Sequence, residues 1–144
     1  MLYRIYMVTN ACFQKKGTHM TWDIYNERCP TRIVLDRIAD KWTVLIVGAL
    51  EAKTKRFGEL RKEIGGVSQK MLTQTLRGLE RDGIVNRKIY ATVPPKVEYS
   101  LTELGKTLVG ILHAIGEWSE NNIERVLKAR MDYDARTAVD ANQE

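Results

Sequence analysis

The sequence predicts a mainly α-helical domain with a small β-hairpin, laid out as a winged helix-turn-helix. Three observations predict it. Apolar residues recur at i, i+3, i+4 and i+7 in several stretches from Pro30 onward. Gly65-Gly66 separates two short helical patterns, and two alternating segments then flank a Pro94-Pro95 tip.

Residues 1–19 fit no period and read as a variable arm, ordered only if a partner holds it. Residues 20–130 read as the structured domain and 131–144 as a polar tail that frays. From Pro30, the stripe Ile33, Leu35, Ile38 and Ala39 leads into Trp42, Leu45, Ile46, Ala49 and Leu50. Asp40 can cap a new helix, so two helices with a bend near Asp40 are expected. Glu51 to Lys55 is polar and reads as a loop.

Phe57, Leu60 and Ile64 mark a short helix, and Gly65-Gly66 ends it because glycine readily takes the left-handed conformation. Ser68 is a natural N-cap for the next helix, with Val67 and Leu72 placed to form a hydrophobic staple. That helix buries Leu72, Leu76 and Leu79, shows Lys70, Thr73, Gln74 and Arg77 on its other face, and ends at Gly83. Ile84 to Tyr90 suits a strand, and Val97, Tyr99 and Leu101 alternate as its partner. Thr102 can cap a long helix striped by Leu104, Leu108, Ile111, Leu112, Ile115 and Trp118, continuing through Ile123, Val126 and Leu127.

The 144 residues suit one domain, with a net charge of +5. Lys53 to Tyr99 holds 11 basic and 5 acidic residues, whereas the rest of the chain holds 12 and 13. The excess positive charge therefore lies on the expected helix-turn-helix and wing, where it would attract a polyanion. No apolar run is long enough to cross a membrane, and the start lacks the sustained apolar core of a signal peptide, so a cytoplasmic home is expected. Two cysteines, Cys12 and Cys29, are too few for a disulfide scaffold, and with His19 and His113 they have no zinc-site spacing. Neither a cofactor nor a metal is expected. No catalytic set or phosphate-binding loop emerges, which argues against an enzyme.

The helix that opens at Ser68 has the chemistry of a reader of duplex DNA. The major groove admits one α-helix, glutamine pairs with adenine and arginine with guanine. Gln69, Thr73, Gln74 and Arg77 suit base edges, and Ser68 and Lys70 suit phosphate near the helix N-terminus. On the hairpin, Arg87, Lys88 and Lys96 suit phosphates or a minor groove. The plainer alternatives are a solvated helix face and a hairpin whose charges aid solubility. Cys29-Pro30 puts a thiol at or near a helix N-cap, with Arg28 and Arg32 beside it. Two readings stay open there: an accessible, acidified thiol that senses oxidants or electrophiles, and a buried cysteine packing as a small hydrophobe. Trp22, Tyr25, Trp42, Trp118 and Tyr133 could line a small-ligand pocket, although core or interface packing is the simpler account.

Taken together, Cys29-Pro30, Ala39-Asp40-Lys41-Trp42-Thr43, Arg56-Phe57-Gly58-Glu59-Leu60, Ser68-Gln69-Lys70-Met71-Leu72-Thr73-Gln74-Thr75-Leu76, Leu79-Glu80-Arg81-Asp82-Gly83 and the run from Pro94 to Gly105 resemble the HxlR-type winged-helix transcriptional regulators, relatives of the MarR group. The resemblance spans roughly residues 25–125. It implies a homodimer built from the N- and C-terminal helices, holding two winged helices over one pseudo-palindromic operator in double-stranded DNA. It further implies transcriptional control, repression before activation, with an oxidant- or electrophile-sensing role that carries over to Cys29 alone. Cys12 lies in the extra arm and has no assigned counterpart, and the longer N-terminus departs from the family's usual pattern. The alternatives are a regulator controlled by a non-covalent small ligand, a winged-helix module that binds an acidic protein, and a small-molecule-binding protein or enzyme with an aromatic cleft.

Overall fold

A computed structural model describes residues 13–16 and 19–140. Cys12 and the rest of 1–12 lie outside the described residues, as do 141–144.

The first two strands, β1 (Phe13–Lys16) and β2 (His19–Trp22), pair antiparallel, with Phe13 opposite Trp22 and Lys16 opposite His19. β1 and the first residue of β2 fall in the arm read as 1–19, and the rest of β2 crosses into the domain; four-residue strands are too short to establish a period. Helices α1 (Thr31–Ile38) and α2 (Lys41–Glu51) follow, broken at Asp40 as expected. The Asp40 backbone is extended, and its carboxylate accepts from Trp42 N at 3.3 Å. A two-residue strand, β3 (Lys55–Arg56), leads into α3 (Phe57–Glu63). Beyond a turn at Gly66, with φ of 78°, comes α4 (Gln69–Arg81). The wing is β4 (Val85–Tyr90) and β5 (Lys96–Leu101), and α5 (Glu103–Asp140) closes the chain.

Two expectations are corrected here. The polar stretch Glu51–Lys55 is not all loop: Glu51 ends α2 and Lys55 begins β3. Lys55 is buried and pairs with Glu63, a partnership that its polarity concealed. The tail after Arg130 does not fray at that point, since α5 continues to Asp140. Met131, Ala135, Arg136 and Ala138 favour helix, and no Gly or Pro follows Gly116 to stop it.

The core is built around α2. Ile46, Val47 and Leu50 form one core with Leu60 of α3 and its C-cap Ile64, Leu72, Leu76 and Leu79 of α4, Tyr99 and Leu101 of β5, and Leu112 of α5. Leu60, Leu72 and Leu79 are fully buried, and each such side chain contributes about 1.5–3 kcal/mol relative to exposure. The second sheet has the order β3-β5-β4, all antiparallel, so the wing is anchored to the helix-turn-helix by β3. Among the described residues, no helix is long and apolar enough to cross a membrane.

Candidate nucleic-acid interface

Helix α4 is set by its cap and its buried face. Ser68 is extended, and its Oγ accepts from Met71 N at 3.1 Å. Val67 and Leu72 are both buried beside that cap, as a staple requires. Leu72, Thr75, Leu76 and Leu79 lock the inner face into the core. At the far end Gly83 takes φ of 72°, the left-handed turn that lets the chain leave for β4.

This leaves Ser68, Gln69, Lys70, Gln74 and Arg77 exposed together on the outer face. Thr73 differs, because it is half-buried and its Oγ1 donates back to Gln69 O at 2.8 Å. Its hydroxyl proton is therefore used within the helix, leaving its oxygen lone pairs and methyl for any partner. The Ser68 oxygen is similarly used as a cap, whereas its proton remains available to an acceptor.

On the wing, cross-strand register sorts the cations by face. Lys88 opposes Glu98, Tyr90 opposes Lys96, and Arg56 of β3 also opposes Glu98. Directly opposed residues share a face, as do residues two apart. Arg56, Lys88, Tyr90, Lys96 and Glu98 thus form one surface, and Arg87 points to the other side. The Lys88 and Lys96 ammoniums lie 4.9 and 5.0 Å from the Tyr90 ring centre, within cation–π range. Lys96 is half-buried and ion-paired with Glu98 at 2.5 Å, so it is less available than its sequence position suggests. Hydrogen bonding from Lys96 is the main cause that holds the Glu98 carboxyl below its ordinary pKa; Tyr90 and the charge of Arg56 act in the same direction, against desolvation.

Sequence reasoning missed Arg56 and Arg37. Arg56 joins the wing face only because a two-residue strand brings it there. Arg37 of α1 pairs with Asp82 at the end of α4, 45 positions away in sequence, a contact that no local pattern encodes.

Cys29 is placed differently from an accessible N-cap thiol. Pro30 occupies the N-cap of α1, and Cys29, one residue earlier, is only 3% exposed, with Sγ 3.0 Å from Thr31 Oγ1. The five aromatics also diverge. Trp42 packs against the core and Tyr25 stands in solvent. Trp118 and Tyr133 line separate shallow grooves along α5. Among the described residues, no group of three or more His, Cys, Asp or Glu is placed to hold a metal ion.

The sequence pattern of the HxlR-like helix-turn-helix regulators matches residues 37–127, which hold α2, α3, α4 and the wing. The chain belongs to the HxlR-like helix-turn-helix family. It is 48% identical over 108 residues to the HTH-type transcriptional regulator YtfH of Escherichia coli, covering 75% of this chain and 86% of that protein. The solved structure of the transcriptional regulator ytfH from Salmonella typhimurium superposes with a TM-score of 0.70 at 47% identity, covering 75% of this chain and 96% of that one. The redox regulator HypR in its oxidised form matches with a TM-score of 0.60 at 48% identity, over 65% of this chain and 97% of that one. This HxlR-like chain is therefore a transcriptional regulator with a winged helix-turn-helix fold.

Proposed function

We propose that this regulator works as a cytoplasmic homodimer that binds a pseudo-palindromic site in double-stranded DNA and represses transcription, with Cys29 as the thiol through which oxidants or electrophiles release it. The observation that carries the reading is the outer face of α4, where Gln69, Lys70, Gln74 and Arg77 stand exposed on a capped, core-locked helix. Base edges in the major groove match that chemistry, and the cations of the wing suit the flanking phosphates.

A second copy is favoured by the apolar surface on both terminal helices. Ile33, Val34 and Leu35 of α1 are exposed, as are Ile111, Ile115 and Trp118 of α5. Apolar surface of that kind marks a partner site, and two-fold pairing would set two readers about one helical turn apart.

The role of Cys29 is supported by its place one residue before the N-cap of α1 and by the chain's similarity to a redox regulator. Because the thiol is buried, its modification requires local movement of the segment before α1, and that movement is the proposed signal. A non-covalent ligand is the second reading; its candidate site is the open apolar groove of α5 from Gly110 to Trp118, on the same face offered to the second copy.

The deciding experiment is a gel-shift titration on the DNA upstream of the gene, with random duplex as competitor. Reduced protein, diamide-treated protein and Cys29→Ser are compared. Specific binding lost on oxidation and kept by the serine variant supports the thiol mechanism. Specific binding indifferent to diamide removes Cys29 from the mechanism, and no preference over random duplex overturns the DNA reading.

A further inference from the structure

Arg37 ties α1 to the last turn of the reader helix α4. Its Nε donates to Asp82 Oδ2 at 2.6 Å. The same guanidinium lies over Gly78: a Cβ built there would sit 2.5 Å from Arg37 Cζ and 2.6 Å from Nη2. The absence of a side chain at Gly78 is what seats the cation. Asp82 is the C-cap residue of α4, and its N–H donates to Gly78 O at 3.0 Å. The positive group therefore sits at the negative end of the helix dipole as well as on a carboxylate.

This seat uses Arg37 for more than solubility. The Arg37 and Asp82 side chains are 28% and 25% exposed, so the charge is turned inward rather than presented to a phosphate. Helix α1 has no fully buried residue; it is held to the body by half-buried Ile38 and by this ion pair. It also carries the exposed Ile33, Val34 and Leu35. One side chain thus connects the helix assigned to the second copy with the helix assigned to the DNA.

We propose that Arg37 is a positioning residue for DNA reading: seated on Gly78 and Asp82, it fixes the angle of α4 against α1 and so sets the distance between the two readers of the dimer. The proposal rests on the dimeric, DNA-binding function proposed above. Any displacement of α1, including one that follows modification near Cys29, would reach α4 through this seat.

The test uses the full chain and a duplex selected by the unaltered protein from a random pool. Binding is titrated on that duplex, on versions with the half-sites moved together or apart by one and two base pairs, and on random duplex. The variants are Arg37→Gln, Gly78→Ala and the double variant. Gly78→Ala keeps every charge and displaces only the guanidinium end of Arg37, while alanine suits a helix interior, so it remains folded even if Arg37→Gln does not. Each single variant is expected to lose about tenfold on the selected spacing, the scale of one mismatched base pair. The preference among spacings should flatten, and Gly78→Ala should leave random-duplex affinity unchanged. The double variant should lose no more than either single one, because both act through one seat. Wild-type affinity and spacing preference in Gly78→Ala would overturn the proposal, as would an equal loss on every duplex. An unaltered protein that is monomeric, or that selects no duplex, would overturn the dimeric reading and the proposal with it.

Discussion

The Lys96 ammonium lies 2.5 Å from the Glu98 carboxylate, so the wing carries its own counterion between the lysine and any phosphate. Glu98 is also opposed by Lys88 and Arg56 in the cross-strand register. Replacing it with glutamine leaves three cations on that face without a carboxylate. For Glu98→Gln we expect tighter binding to random duplex and a dependence of log K on log salt steeper by about one unit. A salt titration followed by fluorescence anisotropy measures both, and an unchanged slope would show that Lys96 does not reach phosphate.

The same carboxylate should give the fold a pH dependence whose sign follows from its lowered pKa. Glu98 is more acidic in the folded chain than in the unfolded one, chiefly through its hydrogen bond from Lys96. Its stabilising effect is complete above the ordinary carboxylate pKa and disappears as pH falls through the lowered folded value. The difference in melting midpoint between the unaltered protein and Glu98→Gln should therefore hold steady from about pH 7 to about pH 5 and shrink below that. A difference that persists unchanged in strong acid would remove the ion pair as its cause.

The helix-turn-helix was legible because each of its signals is local. Ser68 caps through a residue three positions away, Leu72, Leu76 and Leu79 repeat at helical spacing, and Gly66 and Gly83 stand where positive φ is needed. What escaped the sequence is non-local or short. Arg56 reaches the wing face through a two-residue strand, and Arg37 meets Asp82 across the fold. The continuation of α5 to Asp140 is hidden because the segment after Arg130 is polar and carries no apolar stripe, although its residues favour helix. The burial of Cys29 could not be read from its neighbours, because Arg28, Pro30 and Arg32 suggest exposure while the packing of the segment decides it.

Gly105 is where α5 meets the start of the wing. A Cβ there would lie 3.1 Å from the Ile84 carbonyl carbon and 3.3 Å from Ile84 Cγ2. That carbonyl is held in place, because it accepts from Thr102 N at 3.0 Å while the Thr102 hydroxyl donates to the neighbouring Gly83 O at 2.6 Å. Gly105→Ala should destabilise the fold by about 1–3 kcal/mol in urea unfolding, as overpacking does. Gly48, inside α2 with no atom within 4 Å of a Cβ position, is the control. Gly48→Ala should gain about 0.5–1 kcal/mol from helix propensity alone. A tolerated Gly105→Ala would mean that α5 can shift along the sheet.

Arg77 and Lys70 stand on one exposed face of α4 but should fail differently. Lys70 lies in the first turn, where the helix N-terminus already favours phosphate; Arg77 lies two turns on, with a planar fork suited to guanine. Arg77→Ala should cost about 1–3 kcal/mol on the specific duplex and relax its preference at one base pair. Lys70→Ala should weaken specific and random duplexes alike and reduce the salt slope by about one unit. Competition binding against duplexes randomised at single positions separates the two. A uniform loss for Arg77→Ala would place that guanidinium on the backbone and leave base reading to Gln69 and Gln74, whose amides can pair with adenine but not replace a bidentate contact to guanine.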